Sequence, residues 1–234
     1  MPEGAEKIIC SKGGFMAIVD LSMSIQPHWR WKVVQEFLQV HAQGRGFQVT
    51  ALTLSMHAFT HVDTPLHVMP GKITIDQVGL ENLTGSAAVL DLTGVGPNQA
   101  VTAAAVKTAG KHIRKGDIVL LKTGWDLQRD CQSREFWTEA PFVEEEAAAW
   151  LGEQGIKAVG FDFPQDYSIR DIPARHPPLE ELTTHACLLC RGIYLIEYLC
   201  NLHRIRAERV EVFALPLKII GAEGAPARVV AVVP

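Results

Sequence analysis

What this chain lacks narrows its options first. No stretch approaches the roughly 20 consecutive apolar residues that span a bilayer, so no membrane partner is expected. No run of Lys or Arg offers a surface for phosphate backbones, and the net charge is -4, so nucleic acid is not an expected partner either. The start, Met1 to Lys7, has neither a basic segment nor an apolar core. No secretory signal is therefore expected, and the cytoplasm is the predicted location. The cysteines are Cys10, Cys131, Cys187, Cys190 and Cys200. They are odd in number and irregular in spacing, which excludes a disulfide framework and agrees with a reducing compartment. Cys187-Leu-Leu-Cys190 has no second pair and sits in an apolar helical pattern, so it reads as buried structural thiols. Internal repeats and low-complexity segments are also missing.

What remains is an ordinary globular composition, 47% hydrophobic and 21% charged over 234 residues. That length predicts one domain spanning 1–234, able to bury roughly 70–75% of its unfolded surface. Strands are predicted over Ala17–Ser22, Phe47–Leu54, Ser86–Leu92, Gly116–Lys122, Ile156–Phe161, Val210–Leu215 and Arg228–Val233, from their β-branched and alternating or continuously apolar character. Thr102 is placed to cap a helix running to Thr108, with Gly110 as its stop. Ala140-Pro141 is placed to open another, with Glu144, Glu145 and Glu146 as its solvated early turns. Lys32–Val40 reads as mildly helical. Leu179–Cys190 is helical, and Arg170–Pro178 must be a loop, where His176 reads as a surface residue. Alternating strands and helices predict an α/β domain with a mostly apolar central sheet.

The chemistry concentrates in Ser55–Val68, S-M-H-A-F-T-H-V-D-T-P-L-H-V. His57, His61, Asp63 and His67 all sit at odd positions. In an extended segment alternate side chains share a face, so a strand ending near Asp63 and turned by Pro65 aims them into one space. Imidazoles and carboxylates are ligands suited to zinc and manganese. Further ligands must come from elsewhere, and His185 and Glu197 are the best candidates. Glu197 ends the apolar run Ile193–Ile196, where a carboxylate needs a partner or a metal. A continuous helix would separate the two by about 18 Å at 1.5 Å per residue. They meet only if the helix breaks, and Arg191-Gly192 supplies the break. Trp29 and Trp31, after Pro27, are a lid over the core or the apolar wall of a pocket.

The stretch His57-Ala-Phe-Thr-His61-Val-Asp63-Thr-Pro65-Leu-His67 resembles the H-x-G-T-H-x-D-x-P-x-H signature of the metal-dependent cyclase family, which includes bacterial kynurenine formamidases and isatin hydrolases. Every fixed position is present except the glycine, where Phe59 stands. His185-x-x-Leu188-Leu189 and Glu197-x-Leu199-x-Asn201-Leu202 are similar to its second signature, and Asp20-Leu21-Ser22 and Val159-Gly160-Phe161-Asp162 also fit. The resemblance implies a layered β/β/α, swivelling-type fold and a divalent metal, Zn or Mn, as one or two ions per chain. It implies His57, His61 and Asp63 on a first ion, Asp63 and Glu197 as bridges, and His185 completing a second. His67 would carry the proton, and Trp29 would contact substrate. Phe59, in place of glycine, and Gln165, in place of the family's usual serine, are the expected sites of substrate difference. A homodimer or homotetramer is the implied assembly.

The predicted reaction is hydrolysis of a C–N amide bond in a small, aromatic substrate, an aryl formamide such as N-formylkynurenine or a cyclic amide such as isatin. A metal with open positions lowers the pKa of its bound water toward 7, producing hydroxide that attacks the amide carbon, and a histidine tuned near neutrality moves the proton. Three other readings stand beside it. One is cyclase or lactone and cyclic-imide chemistry of the same family. Another is an Fe(II) oxygenase built on His61-x-Asp63, which leaves His57, His67 and Glu197 idle. The last is a non-catalytic, metal-stabilised binding protein, against which the absence of cysteine near the motif counts.

Overall fold

The computed structural model describes residues 7–9, 15–172 and 174–233; Cys10 lies outside them. The strands are β1 (Lys7–Ile9), β2 (Phe15–Asp20), β3 (Val34–Gln39), β4 (Val49–Thr53), β5 (His61–Asp63), β6 (Thr84–Asp91), β7 (Ala100–Val101), β8 (Ile118–Lys122), β9 (Phe142–Val143), β10 (Ala158–Phe161), β11 (Tyr194–Glu197), β12 (Arg209–Pro216) and β13 (Gly224–Val233). The α-helices are α1 (Ala103–Ala109), α2 (Trp125–Gln128), α3 (Glu135–Thr138), α4 (Glu145–Glu153) and α5 (Thr183–Cys187).

Nine strands form one sheet in the order β1-β2-β13-β12-β6-β8-β10-β11-β5, and β5 pairs back onto β13. That last pairing closes the strands from β13 round to β5 into a barrel, which the layered expectation did not contain. The middle strands β6, β8, β10 and β11 run parallel, and β5, β12 and β13 join antiparallel. Ile118–Lys122 is buried throughout, as its continuous apolar character predicts. Strand residues alternate between two apolar clusters. Ala88, Leu90, Val119, Leu121 and Val159 pack with Val106 of α1 and Ala147, Ala148 and Leu151 of α4. Ala87, Val89, Ile118, Leu120 and Ala158 pack instead with Val212, Ala214, Val229 and Ala231.

The α1 prediction holds: the Thr102 side chain accepts the Ala105 N–H, and Gly110 follows the last turn. Two expectations are corrected. Val34–Gln39 is a strand rather than a helix, paired antiparallel with β4 in a ribbon separate from the barrel. V-Q-E-F-L-Q carries little helical periodicity, and the Val49–Thr53 partner decides its state. The helix expected from Ala140 begins only at Glu145, because Phe142–Val143 pairs with β7 first. Glu144 is its N-cap residue and accepts the Ala103 N–H, tying α4 to α1.

Candidate metal centre

Strand β5 is the floor of the site. It is paired on both sides, with β11 and with β13, and is buried along its length. His61 stands directly across from Glu197. Opposite residues of an antiparallel pair project to the same face, so the register alone brings imidazole and carboxylate together. Asp63, two residues on, shares that face. Its partner on β13 is Gly224, where a Cβ would lie 2.7 Å from the Val62 carbonyl and 3.1 Å from Asp63 Oδ1. Past Asp63 the chain turns over Pro65–His67, as Pro65 predicts.

His57 reaches the site differently from the expectation. It is not on the strand: residues 56–60 form turns, and Phe59 adopts φ 58°. A left-handed conformation at a bulky residue is a strained one, and it explains why glycine suits this position. The turn aims the Phe59 carbonyl at His61 Nδ1, 2.7 Å away. A carbonyl only accepts, so Nδ1 carries the proton and Nε2 is left bare toward the site.

The predicted helix break is present. Helix α5 carries His185, the chain ends its last turn at Gly192 with φ 81°, and β11 then returns to Glu197. Asp166 fixes α5 from outside, accepting the Thr184 N–H and His185 Nδ1, each at 2.6 Å. His185 Nε2 therefore also faces inward.

The five groups converge at two corners. His57 Nδ1 lies 2.8 Å and His61 Nε2 3.3 Å from Asp63 Oδ1. His185 Nε2 lies 3.6 Å from Asp63 Oδ2 and 3.4 Å from Glu197 Oε1, while Glu197 Oε2 is 3.6 Å from His61 Nε2. Both carboxylates thus span from the His61 corner to the His185 corner. His61, Asp63 and Glu197 offer ligand atoms all within 4.8 Å of one another, and so do His57, Asp63 and His67. Two ligands of a tetrahedral zinc with bonds near 2.0–2.1 Å sit about 3.3 Å apart, which is the spacing seen. His61 Nε2 and Asp63 Oδ2 are buried without a hydrogen-bond partner. Orphaned buried polar atoms are costly, and a divalent cation between them removes that cost. The residues fit a metal.

Electrostatics agree. Burial pushes the Asp63 carboxyl up, but His61 and His57 outweigh it and hold it well below the usual carboxylate range. Burial pushes His57 down, but Asp63, with Glu223, outweighs it and raises His57 to about 9. Glu197 is pushed up by burial and by the neighbouring Asp63 charge. Burial takes His67 down to about 4, opposed by Asp63 and reinforced by the His57 charge. A pKa lowered this far leaves the His67 imidazole neutral at pH 7 and able to accept a proton. Its ring stacks on His57 with centroids 4.0 Å apart.

A cavity of about 340 Å³ opens over these groups, lined by His57, His61, Asp63, His67, His185 and Glu197. Its apolar wall reverses the expected roles of the two tryptophans. Trp31 and Tyr198 line the cavity. Trp29 is turned away, its indole N–H donating to the Gln132 carbonyl and its ring under the Arg134 guanidinium. Phe59 stands one layer behind the cavity, buried and packed on Trp31 at 4.8 Å between centroids. Gln165 is fully buried and donates its amide N–H to Glu197 Oε1, so it touches a candidate ligand. His176, expected on the surface, is exposed but lines the mouth. Sequence reasoning missed Arg30, which lines the cavity and is held by the Ile169 and Ile172 carbonyls, as well as Asp166, Tyr198, Glu223 and Gly224.

Comparison with known proteins places this architecture. Residues 19–165 match the "Putative cyclase" family model. A kynurenine formamidase from Salinibacter ruber is 30% identical over 92% of this chain and 97% of its own length. The solved structure of a potential metal-dependent hydrolase with cyclase activity superposes with a TM-score of 0.71 at 29% identity, covering 94% of this chain and 98% of that one. Isatin hydrolase A from Labrenzia aggregata shares the fold, with a TM-score of 0.78 at 22% identity over 93% of this chain and 94% of the other. The chain belongs to the cyclase family.

Proposed function

We propose that this chain is a metal-dependent hydrolase that cleaves a C–N amide bond in a small aromatic substrate, an aryl formamide or a cyclic amide. The observation that carries the reading is the convergence of His57, His61, Asp63, His185 and Glu197 beneath an aromatic wall, with His61 Nε2 and Asp63 Oδ2 left bare. Relatives named kynurenine formamidase, and a structural neighbour named isatin hydrolase, support the substrate class. His57, His61 and Asp63 would hold one Zn or Mn ion. Asp63, Glu197 and His185 would hold a second where two are present. A bound ion polarises the substrate carbonyl and activates water. Everything else falls to the chain itself. Trp31 and Tyr198 present faces on which an aryl ring stacks. His67, neutral at the mouth, takes a proton from the attacking water and returns it to the leaving nitrogen. Arg30 places a fixed positive charge at the cavity wall.

The two apolar clusters, one on each side of the barrel sheet, support a layered β/β/α description. A homodimer or homotetramer is supported by the β3–β4 ribbon, which exposes Phe37, Leu38 and Leu52; two strands alone are marginal in water. Location in the cytoplasm is supported by Cys131, Cys187, Cys190 and Cys200, which are unpaired. No helix among the described residues is long and apolar enough to cross a membrane.

The test is metal analysis of the purified protein with a panel of N-formylkynurenine, isatin, cyclic imides and lactones, each with and without chelator. Chelator-sensitive turnover of an amide is expected. Full turnover after complete metal removal, or turnover of lactones alone, overturns the reading.

A further inference from the structure

The candidate ligand histidines are not held alike. His61 leans on the buried Phe59 carbonyl and His185 on the buried Asp166 carboxylate. His57, at the mouth, has its Nδ1 on Asp63 and its Nε2 3.0 Å from Glu223 Oε1. We infer that Glu223 is the positioning residue of the metal centre, fixing the His57 tautomer so that Nδ1 presents its lone pair to the ion. The inference rests on the metal-centre reading above and assigns that centre a part drawn from the far end of the chain.

Three observations carry it. The contact joins residues 166 positions apart and depends on how the barrel closes. The Glu223 backbone is pinned there: its carbonyl accepts the Thr64 N–H at 3.0 Å and the Thr64 hydroxyl at 2.9 Å, one residue past Asp63. The next residue, Gly224, presses the strand against the ligands, since a Cβ there would lie 3.2 Å from His57 Cε1 as well as 3.1 Å from Asp63 Oδ1. A side chain delivered by so fixed a backbone holds the ring in place. Glu223 has His57 as its ion-pair partner and makes no ion pair with a lysine or arginine among the described residues. A carboxylate on the far nitrogen of a ligand histidine sets its tautomer and raises its basicity, and losing it costs about 10- to 100-fold in metal affinity. An ordinary surface hydrogen bond would leave metal affinity untouched.

The experiment uses the full chain. Zn and Mn affinities are measured by chelator competition for wild type, Glu223→Met, which keeps the length and removes the acceptor, and Glu223→Gln, whose amide oxygen still accepts the Nε2 proton. The melting temperature of each metal-free protein is read in parallel. E223M is expected to bind about 10- to 100-fold more weakly, with E223Q between it and wild type, while the metal-free melting temperatures stay close together. E223M affinity within about twofold of wild type, or E223Q no tighter than E223M, overturns the inference. Should E223M fail to fold, Glu223→Ala takes its place, and an E223A affinity within about twofold of wild type overturns the inference. A wild-type protein that binds neither metal overturns the metal-centre reading itself, which separates the two failures.

Discussion

The floor and the mouth of the cavity are built differently. On the floor, His61 and Asp63 are fully buried, Glu197 is 3% exposed and His185 4%. Their neighbours are strand partners, the Phe59 carbonyl and the buried Asp166. At the mouth, the His57 side chain is 23% exposed and that of Glu223 39%, and His67 and His176 face solvent. Buried polar atoms left bare are costly, so the floor is the part of the cavity best suited to a cation. Groups at the mouth can exchange protons with water and meet a substrate. The difference points to a centre held by the floor and completed at the mouth by His57, with His67 free to move the proton.

The hardest test of that division removes the group both corners share. Asp63 gives Oδ1 to His57 and His61 and Oδ2 toward His185. Asp63→Ala is expected to weaken metal binding by more than the roughly hundredfold that loss of an outer partner costs, and to take turnover with it. Metal content by elemental analysis checks this. Retention of a full complement of ions would collapse the distinction between floor and mouth.

His67→Ala probes the other side. A positioned proton carrier contributes about 10²–10⁴-fold in rate, so kcat should fall by that amount while metal content stays at the wild-type level. His67 also lies within ligand distance of His57 and Asp63. A variant that lost an ion together with its activity would move His67 from the mouth to the floor.

How much of this is legible in the sequence follows the same boundary. His61 and Asp63 can be paired by eye because a strand repeats every two residues. The break at Gly192 is required because a helix of twelve residues is too long for one site. Alternation fails at His57, because Phe59 turns the backbone to φ 58° and the segment is not extended. Trp29 and Trp31 differ in role only through which neighbours they meet, Gln132 and Arg134 for one, Phe59 and the cavity for the other. Glu223 and Asp166 carry no local signal, since strand closure and helix docking bring them in. Val34–Gln39 reads as helical yet forms a strand, because its state is set by the partner strand Val49–Thr53 and not by its own residues.

A smaller effect comes from protons on the candidate ligand nearest solvent. His57 Nδ1 must be free of its proton to hold an ion, and the carboxylates around it raise its pKa from 6.5 to about 9 against the opposing effect of burial. Metal affinity should therefore climb with pH up to about 9, by no more than about tenfold per unit for one proton. The metal-free protein should do the reverse. A histidine whose folded pKa is raised stabilises fully below 6.5, and that contribution is lost as pH rises through 9. Its melting temperature falls across this window. Parallel slopes for metal-free and metal-loaded protein would mean that His57 holds no ion.

The smallest effect on the metal is expected at Phe59, the residue that departs most visibly from the family pattern. Strain and packing oppose each other there. The left-handed backbone costs of order 1–3 kcal/mol at a non-glycine residue, and Phe59→Gly removes that strain. The same change deletes a buried ring packed against Trp31 and His28, and truncating a buried Phe costs about 3–5 kcal/mol. Lost packing wins, so F59G should be less stable by about 1–3 kcal/mol in chemical denaturation. The group that reaches the centre is the residue 59 carbonyl on His61 Nδ1, and the substitution keeps it. Metal affinity should then match wild type while the Trp31 wall loosens and the substrate KM rises. An F59G protein that gained stability would show that strain outweighs packing, and one that lost its metal would show the ring itself to be holding the floor.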